Sequence, residues 1–204
     1  MMVDKRKFKD INVSLLGLGT MRLPCETEQK RESNPNIDYD KAQSLVDLAY
    51  KNGVNYFDTA YMYHCGKSEA FIGYALKKYP RDKYFIADKL PIWLCDTKED
   101  MKRVFDEQLE RTGMDYFDFY LLHSLDKENF EKCENLDAYD FLKQMQKEDK
   151  IKYIGFSFHG TVDDLRNIVS AHKWDFAQIQ MNYLDWENQN AKVQYQILED
   201  AGIP

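Results

Sequence analysis

The sequence predicts an α/β fold of the (β/α)8 TIM-barrel type, with six of the eight β/α units present in a single domain over residues 1–204. Three observations carry this expectation. Apolar β-like runs alternate with amphipathic helical stretches along the whole chain, the pattern of parallel βαβ units. Most of these runs are aromatic or aliphatic on both phases of the two-residue period, as in strands covered on both faces. The first run continues as Gly17-Leu-Gly-Thr-Met-Arg22 into a long polar stretch. A doubly wound nucleotide-binding sheet would instead show Gly-x-Gly-x-x-Gly opening a helix, so the barrel is preferred.

Six runs are expected as strands: Ser14–Leu18, Asn55–Asp58, Tyr84–Lys89, Phe117–Leu122, Tyr153–Ser157 and Phe176–Met181. The stretch Glu26 to Asp38, rich in Glu, Lys, Asn and Ser, reads as a loop after the first of them. Between strands, Ala42, Leu45, Val46 and Ala49 recur at helical spacing, as do Met101, Val104, Phe105 and Leu109. The same holds for Phe141, Leu142 and Met145, and for Leu165, Ile168 and Val169. A helix from Ser68 carries Phe71, Ala75 and Leu76, and one from Asn190 to Ala201 carries Ile197 and Leu198. Each stripe is expected to face the sheet as core. Gly53, Gly113 and Gly202 stand where helix C-caps belong.

The net charge of -7 and the interspersion of Lys and Arg with acids, as in Lys98–Arg103, argue against a nucleic-acid partner. No apolar run approaches the roughly 20 residues that span a bilayer, and the N-terminus lacks the apolar centre of a secretory signal. A cytoplasmic protein with no membrane partner is expected. Cys25, Cys65, Cys95 and Cys133 form no Cys-x-x-Cys pair, so neither a metal site nor a disulfide framework is expected.

In a (β/α) barrel the active site is built at the C-terminal ends of the strands. The polar residues expected there are Asp58, Tyr63 shortly after it, Lys89, His123 and Ser157. Singly, each has an ordinary structural reading: Asp58 as a helix cap, Lys89 as a surface charge, Tyr63 as a rim aromatic and His123 as a core histidine.

Together they carry a resemblance. Gly53-Val-Asn-Tyr-Phe-Asp-Thr-Ala60, Tyr63 followed by Gly66-Lys-Ser-Glu69, Asp88-Lys89, Leu121-Leu-His123 and Ile154-Gly-Phe-Ser157 resemble, in order, the motifs of the aldo-keto reductases. The resemblance covers essentially the whole chain. It implies an oxidoreductase that moves hydride between a nicotinamide cofactor and an aldehyde or ketone, with a catalytic tetrad of Asp58, Tyr63, Lys89 and His123. Tyr63 would be the proton donor, its pKa lowered by the Lys89 ammonium, with Asp58 pairing Lys89 and His123 hydrogen-bonding the carbonyl oxygen.

The resemblance further implies that Ser157 and Gln178 hold the nicotinamide carboxamide, with NADP(H) expected ahead of NAD(H). Where an Asn commonly follows that serine, this chain has Phe158 and His159. Gly155–Gly160 and Gln180–Tyr183 resemble a branch that often carries a cysteine-rich iron-sulfur tail, but the 204 residues contain no such cluster and no metal centre is expected. The chain stops at Asp200-Ala-Gly-Ile-Pro204, where a seventh strand is expected to begin. Open edges at the first and sixth strands are therefore expected to favour self-association. The alternatives are a non-catalytic binding or regulatory fragment on the same scaffold, and a barrel hydrolase pairing Asp58 with Asp88 or Asp185.

Overall fold

The computed structural model describes residues 2–27, 36–188 and 190–204. The chain divides into two compact units, Met1–Lys89 with Phe105–Asp118, and Leu90–Val104 with Phe119–Pro204.

The first unit opens with an antiparallel hairpin of β1 (Lys5–Phe8) and β2 (Ile11–Ser14), pairing Lys5 with Ser14 and Phe8 with Ile11. Three parallel strands follow in chain order: β3 (Leu18–Gly19), β4 (Tyr56–Asp58) and β5 (Phe85–Leu90). Gly19 lies beside Asp58, and Asp58 beside Ala87. The expected first strand, Ser14–Leu18, is corrected here. The Ser14 hydroxyl donates to the Leu16 carbonyl, tying a turn, and Leu15 and Leu16 face solvent, so the barrel strand starts only at Leu18. The charged alternation of Lys5–Ser14 concealed the hairpin.

Helix α1 (Tyr39–Lys51) begins at Asp38, whose carboxylate accepts from the Lys41 amide, and ends just before Gly53 at φ 92. Ala42 and Val46 are buried on it, whereas Leu45 is exposed because the inward stripe of this helix is narrower than its apolar residues suggest. Helix α2 (Ser68–Leu76) buries Phe71, Ala75 and Leu76 as expected. Helix α3 (Lys98–Thr112) gives its second half to this unit, and there Gln108 is buried while Leu109 is only half-buried. The backbones of α2 and α3 touch. A Cβ added at Gly73 would lie 2.0 Å from the Thr112 carbonyl oxygen.

The second unit holds β6 (Phe117–Leu125, from Phe119 onward), β7 (Ile151–Phe158) and β8 (Phe176–Ile179). β7 and β8 are parallel, with Gly155 beside Phe176 and Ser157 beside Gln178. β8 ends two residues before the expected Met181. Its helices are α4 (Lys127–Asn135), α5 (Ala138–Lys147), α6 (Val162–Ala171), α7 (Asp185–Asn188) and α8 (Ala191–Asp200). α6 starts with a capping box between Thr161 and Asp164. α4 was not anticipated, since Lys-Glu-Asn-Phe-Glu-Lys-Cys-Glu-Asn buries little beyond Cys133.

Of the expected loop from Glu26 to Asp38, residues 28–35 lie outside the described residues, and its flanks meet in a bridge between Cys25 and Ile37. Among the described residues, no helix is long and apolar enough to cross a membrane.

Candidate active site

In the first unit, the ends of β4 and β5 bring three expected residues together. Lys89 Nζ donates to Asp58 Oδ1 at 2.6 Å, to the Thr59 carbonyl at 2.8 Å and to the Tyr63 phenol oxygen at 3.2 Å. All three ammonium hydrogens are thus committed. The ammonium also lies 4.7 Å from the centre of the Tyr63 ring. Only 3% of the Lys89 side chain is exposed, so the charge is held by these partners rather than by water.

The neighbouring motif residues build this geometry. Thr20, Thr59 and Ser68 are buried and form a chain of hydroxyls: Ser68 Oγ donates to Thr20 Oγ1 at 2.6 Å and sits 2.9 Å from Thr59 Oγ1. Thr20 Oγ1 in turn donates to the Asp58 carbonyl at 2.9 Å. This chain ties β3, β4 and the start of α2 around the Asp58–Thr59 backbone. Tyr63 opens a short helical turn in which His64 and Cys65 take left-handed backbone angles, φ 52 and 54. Such conformations cost on the order of 1–3 kcal/mol each. They are held by His64, fully buried, whose Nε2 accepts from the Leu23 amide at 3.1 Å.

The charges oppose one another. Burial disfavours the Lys89 ammonium, but Asp58 and Tyr63 outweigh it and raise the lysine above its ordinary value. Burial pushes the Tyr63 phenol up, and Lys89 offsets this only in part. The expected lowering of Tyr63 is therefore outweighed by desolvation, leaving a phenol that keeps its proton firmly at neutral pH.

The second unit carries the other expected residues. Ser157, nearly buried near the end of β7, accepts from the Ser124 amide through Oγ at 2.7 Å. Gln178 is its register partner on β8. At paired positions, a serine hydroxyl and a glutamine amide offer both donors and acceptors, the complement of a carboxamide. His123, half-buried on β6, lies with its ring centre 5.1 Å from that of Trp93. Among the described residues, no group of His, Cys, Asp and Glu could hold a metal ion.

Behind Lys89 lies a layer in which Asp88, expected only as a motif residue or a hydrolase acid, joins Glu69 and Gln108, whose part was missed from sequence. Glu69, Asp88 and Gln108 are all fully buried, and Gln108 Nε2 lies 3.0 Å from Glu69 Oε1, 2.8 Å from Asp88 Oδ1 and 3.1 Å from the Lys89 carbonyl. The signal was present: Gln108 falls in step with the buried residues Met101, Val104, Phe105 and Thr112, a polar residue at a core position of the helix.

The Aldo/keto reductase family description matches residues 15–204. The chain belongs to the aldo/keto reductase family. It is 30% identical over 184 residues to an aldo-keto reductase of Gibberella moniliformis, covering 87% of this chain and 53% of that protein. It is 27% identical over 198 residues to the NADH-specific methylglyoxal reductase of Escherichia coli, covering 89% and 59%. The chain thus spans a little over half the length of these two relatives. A solved Pseudomonas aeruginosa structure described as an aldo-keto reductase matches with a TM-score of 0.75 at 25% identity, over 97% of this chain and 73% of that one. A Bombyx mori aldo-keto reductase solved with NADP shares the fold, with a TM-score of 0.72 at 17% identity over 100% of this chain and 65% of that one. The fold is of the (β/α)8 barrel type, of which this aldo/keto reductase chain carries six parallel strands among the described residues.

Proposed function

We propose that the chain supplies the catalytic groups of an NAD(P)H-dependent aldehyde or ketone reductase. The observation that carries this reading is the Lys89 ammonium donating at once to Asp58, Thr59 and Tyr63. A reduced nicotinamide, when bound, supplies the hydride that forms the new C–H bond. As charge develops on the carbonyl oxygen, Tyr63 gives it the phenol proton. Lys89 stabilises the phenolate left behind, and Asp58 keeps Lys89 charged and oriented until solvent returns the proton. His123 is assigned to the carbonyl oxygen, and Ser157 with Gln178 to the carboxamide.

NADP(H) is proposed ahead of NAD(H). The Bombyx mori structure contains NADP, whereas the Escherichia coli relative is named NADH-specific, so both must be tried. The test mixes protein with NADPH or NADH and a reactive aromatic aldehyde. Loss of reduced-cofactor absorbance above a blank, abolished by Tyr63→Phe, supports the reading. A rate equal to the blank, with cofactor bound, would favour a non-catalytic binding role.

We also propose that the 204-residue chain self-associates through the edges of its first and sixth strands, β3 and β8, beside the latter of which Ala177, Ile179, Met181, Tyr195 and Leu198 line an apolar groove of about 480 Å³. Light scattering coupled to size exclusion tests this, and a monomer at high concentration would refute it.

A further inference from the structure

Asp88 and Lys89 are consecutive on β5, yet the carboxyl of Asp88 belongs to a different environment from the Lys89 ammonium. Asp88, Glu69 on α2 and Gln108 on α3 each have no solvent exposure. Asp88 Oδ1 accepts from the Lys89 backbone amide at 2.8 Å and from Gln108 Nε2 at 2.8 Å. Gln108 also donates to the Lys89 carbonyl at 3.1 Å, so both peptide groups of Lys89 are fastened to this cluster.

Donors then run out. Gln108 Nε2 has two hydrogens for three acceptors. Arg111 gives Nη1 to Glu69 Oε2 at 3.0 Å, but its Nη2 goes to Glu107 at 3.1 Å, so one guanidinium serves two carboxylates. Tyr61 also donates to Glu107, at 2.6 Å. Asp88 Oδ2 is buried and receives no donor. The Asp88 carboxyl instead shares its buried cluster with the Glu69 carboxyl, the single Gln108 Nε2 lying within hydrogen-bonding distance of both. Two ionised acids in one fully buried cluster, with the Arg111 guanidinium shared between Glu69 and Glu107, would leave a buried negative charge uncompensated, and a proton between them removes it.

We propose that Asp88 and Glu69 hold one proton between them, carried on Asp88 Oδ2 and directed at Glu69, and that this acid pair positions the backbone of Lys89. The second half rests on the reading that Lys89 acts on Tyr63, and the first does not. The surrounding charges agree with it. Burial and then the Glu69 charge push the Asp88 carboxyl well above the usual carboxylate range, against Lys89, while Asp58 adds to the rise. Burial likewise pushes Glu69 up, against Gln108 and Arg111. Tyr63, which accepts from Lys89 Nζ, has its phenol raised by burial and adds no charge at neutral pH.

Infrared spectroscopy of the 204-residue chain at neutral pH reads the proton directly. One carbonyl-stretch band of a protonated carboxylic acid, above the amide region and shifted in D2O, is expected in wild type and absent in Asp88→Asn, whose amide keeps a donor toward Glu69. No such band in wild type, or its persistence in Asp88→Asn, overturns the shared proton. Stability against pH gives a second readout. Because the folded value exceeds the unfolded one, the wild-type chain loses stability relative to Asp88→Asn as pH rises from the carboxylate range toward the folded value. Parallel curves for the two would overturn the proposal.

The positioning half is read in a reductase-competent chain. Asp88→Ala, which removes the acceptor of the Lys89 amide, is expected to shift the alkaline limb of the reduction pH profile, and Asp88→Asn to restore it. An unmoved limb in Asp88→Ala overturns the positioning role and leaves Tyr63 as the acid. A wild-type chain that binds cofactor without turnover counts against the Tyr63 reading instead, while the infrared band still reports the acid pair.

Discussion

Lys89 Nζ lies 2.6 Å from Asp58 Oδ1, with 3% of the lysine and 15% of the aspartate side chain exposed. Removing one partner of a buried pair leaves the other charge uncompensated, at a cost of about 3–5 kcal/mol. Asp58→Asn is therefore expected to lower the unfolding free energy, read from urea denaturation, by about 3–5 kcal/mol. A loss below about 1 kcal/mol, the scale of a surface pair, would show that water screens the ammonium.

Tyr63→Phe deletes a hydroxyl and almost no volume. In a reductase-competent chain it is expected to lower carbonyl reduction by about 10²–10⁴, the range of a lost general acid, with cofactor affinity near wild type. Turnover within a few-fold of wild type would assign the proton to another group.

The pH profile follows from the same residue. The Tyr63 phenol is raised above its ordinary value of 10.0, chiefly by burial, so reduction should hold through neutral pH and fall only as the phenol ionises. Lys89→Met removes the opposing cation, raising the phenol further and withdrawing support from the phenolate. Slower reduction near neutrality, with partial recovery of alcohol oxidation at high pH, is expected. A profile superimposable on wild type would uncouple the two side chains.

Away from the site, Asp47 is the clearest acid-sensitive group. Although burial acts the other way, hydrogen bonds from Lys78, Tyr79 and Gln43 hold its carboxyl at about 2. Its folded value lies below the unfolded one, so its contribution is present above the ordinary carboxylate range and is lost as pH falls from about 4 toward 2. Asp47→Asn should flatten that part of the acid-unfolding curve, and an unchanged slope would place the acid sensitivity elsewhere.

Much of this was readable in the residues because the barrel puts chemistry at strand ends. Asp58 and Lys89 each close or nearly close a predicted strand, and Tyr63 follows at a fixed distance. What escaped had a physical reason. Leu15-Leu-Gly-Leu18 looks like a strand by hydrophobicity, but a local side-chain hydrogen bond turns it outward. Gln108 drew no expectation although it falls in step with the core residues of its helix, because composition cannot tell a buried amide with three acceptors from an exposed one. The direction of the Tyr63 shift depends on how dry the site is, which neighbours in sequence do not reveal.

The closeness of α2 and α3 at Gly73 has a consequence for how such a chain can vary. Any side chain there would strike the Thr112 carbonyl, a backbone atom that cannot swing aside. Displacing α2 would carry Ser68 and Glu69 away from the hydroxyl chain and from Gln108 together. In a library randomised at every codon, position 73 should return glycine almost alone, while the loops around it accept many residues. Descendants drifting toward new carbonyl compounds would be free to rewrite those loops, while this hydrogen atom in place of a methyl group is a spelling they could not change.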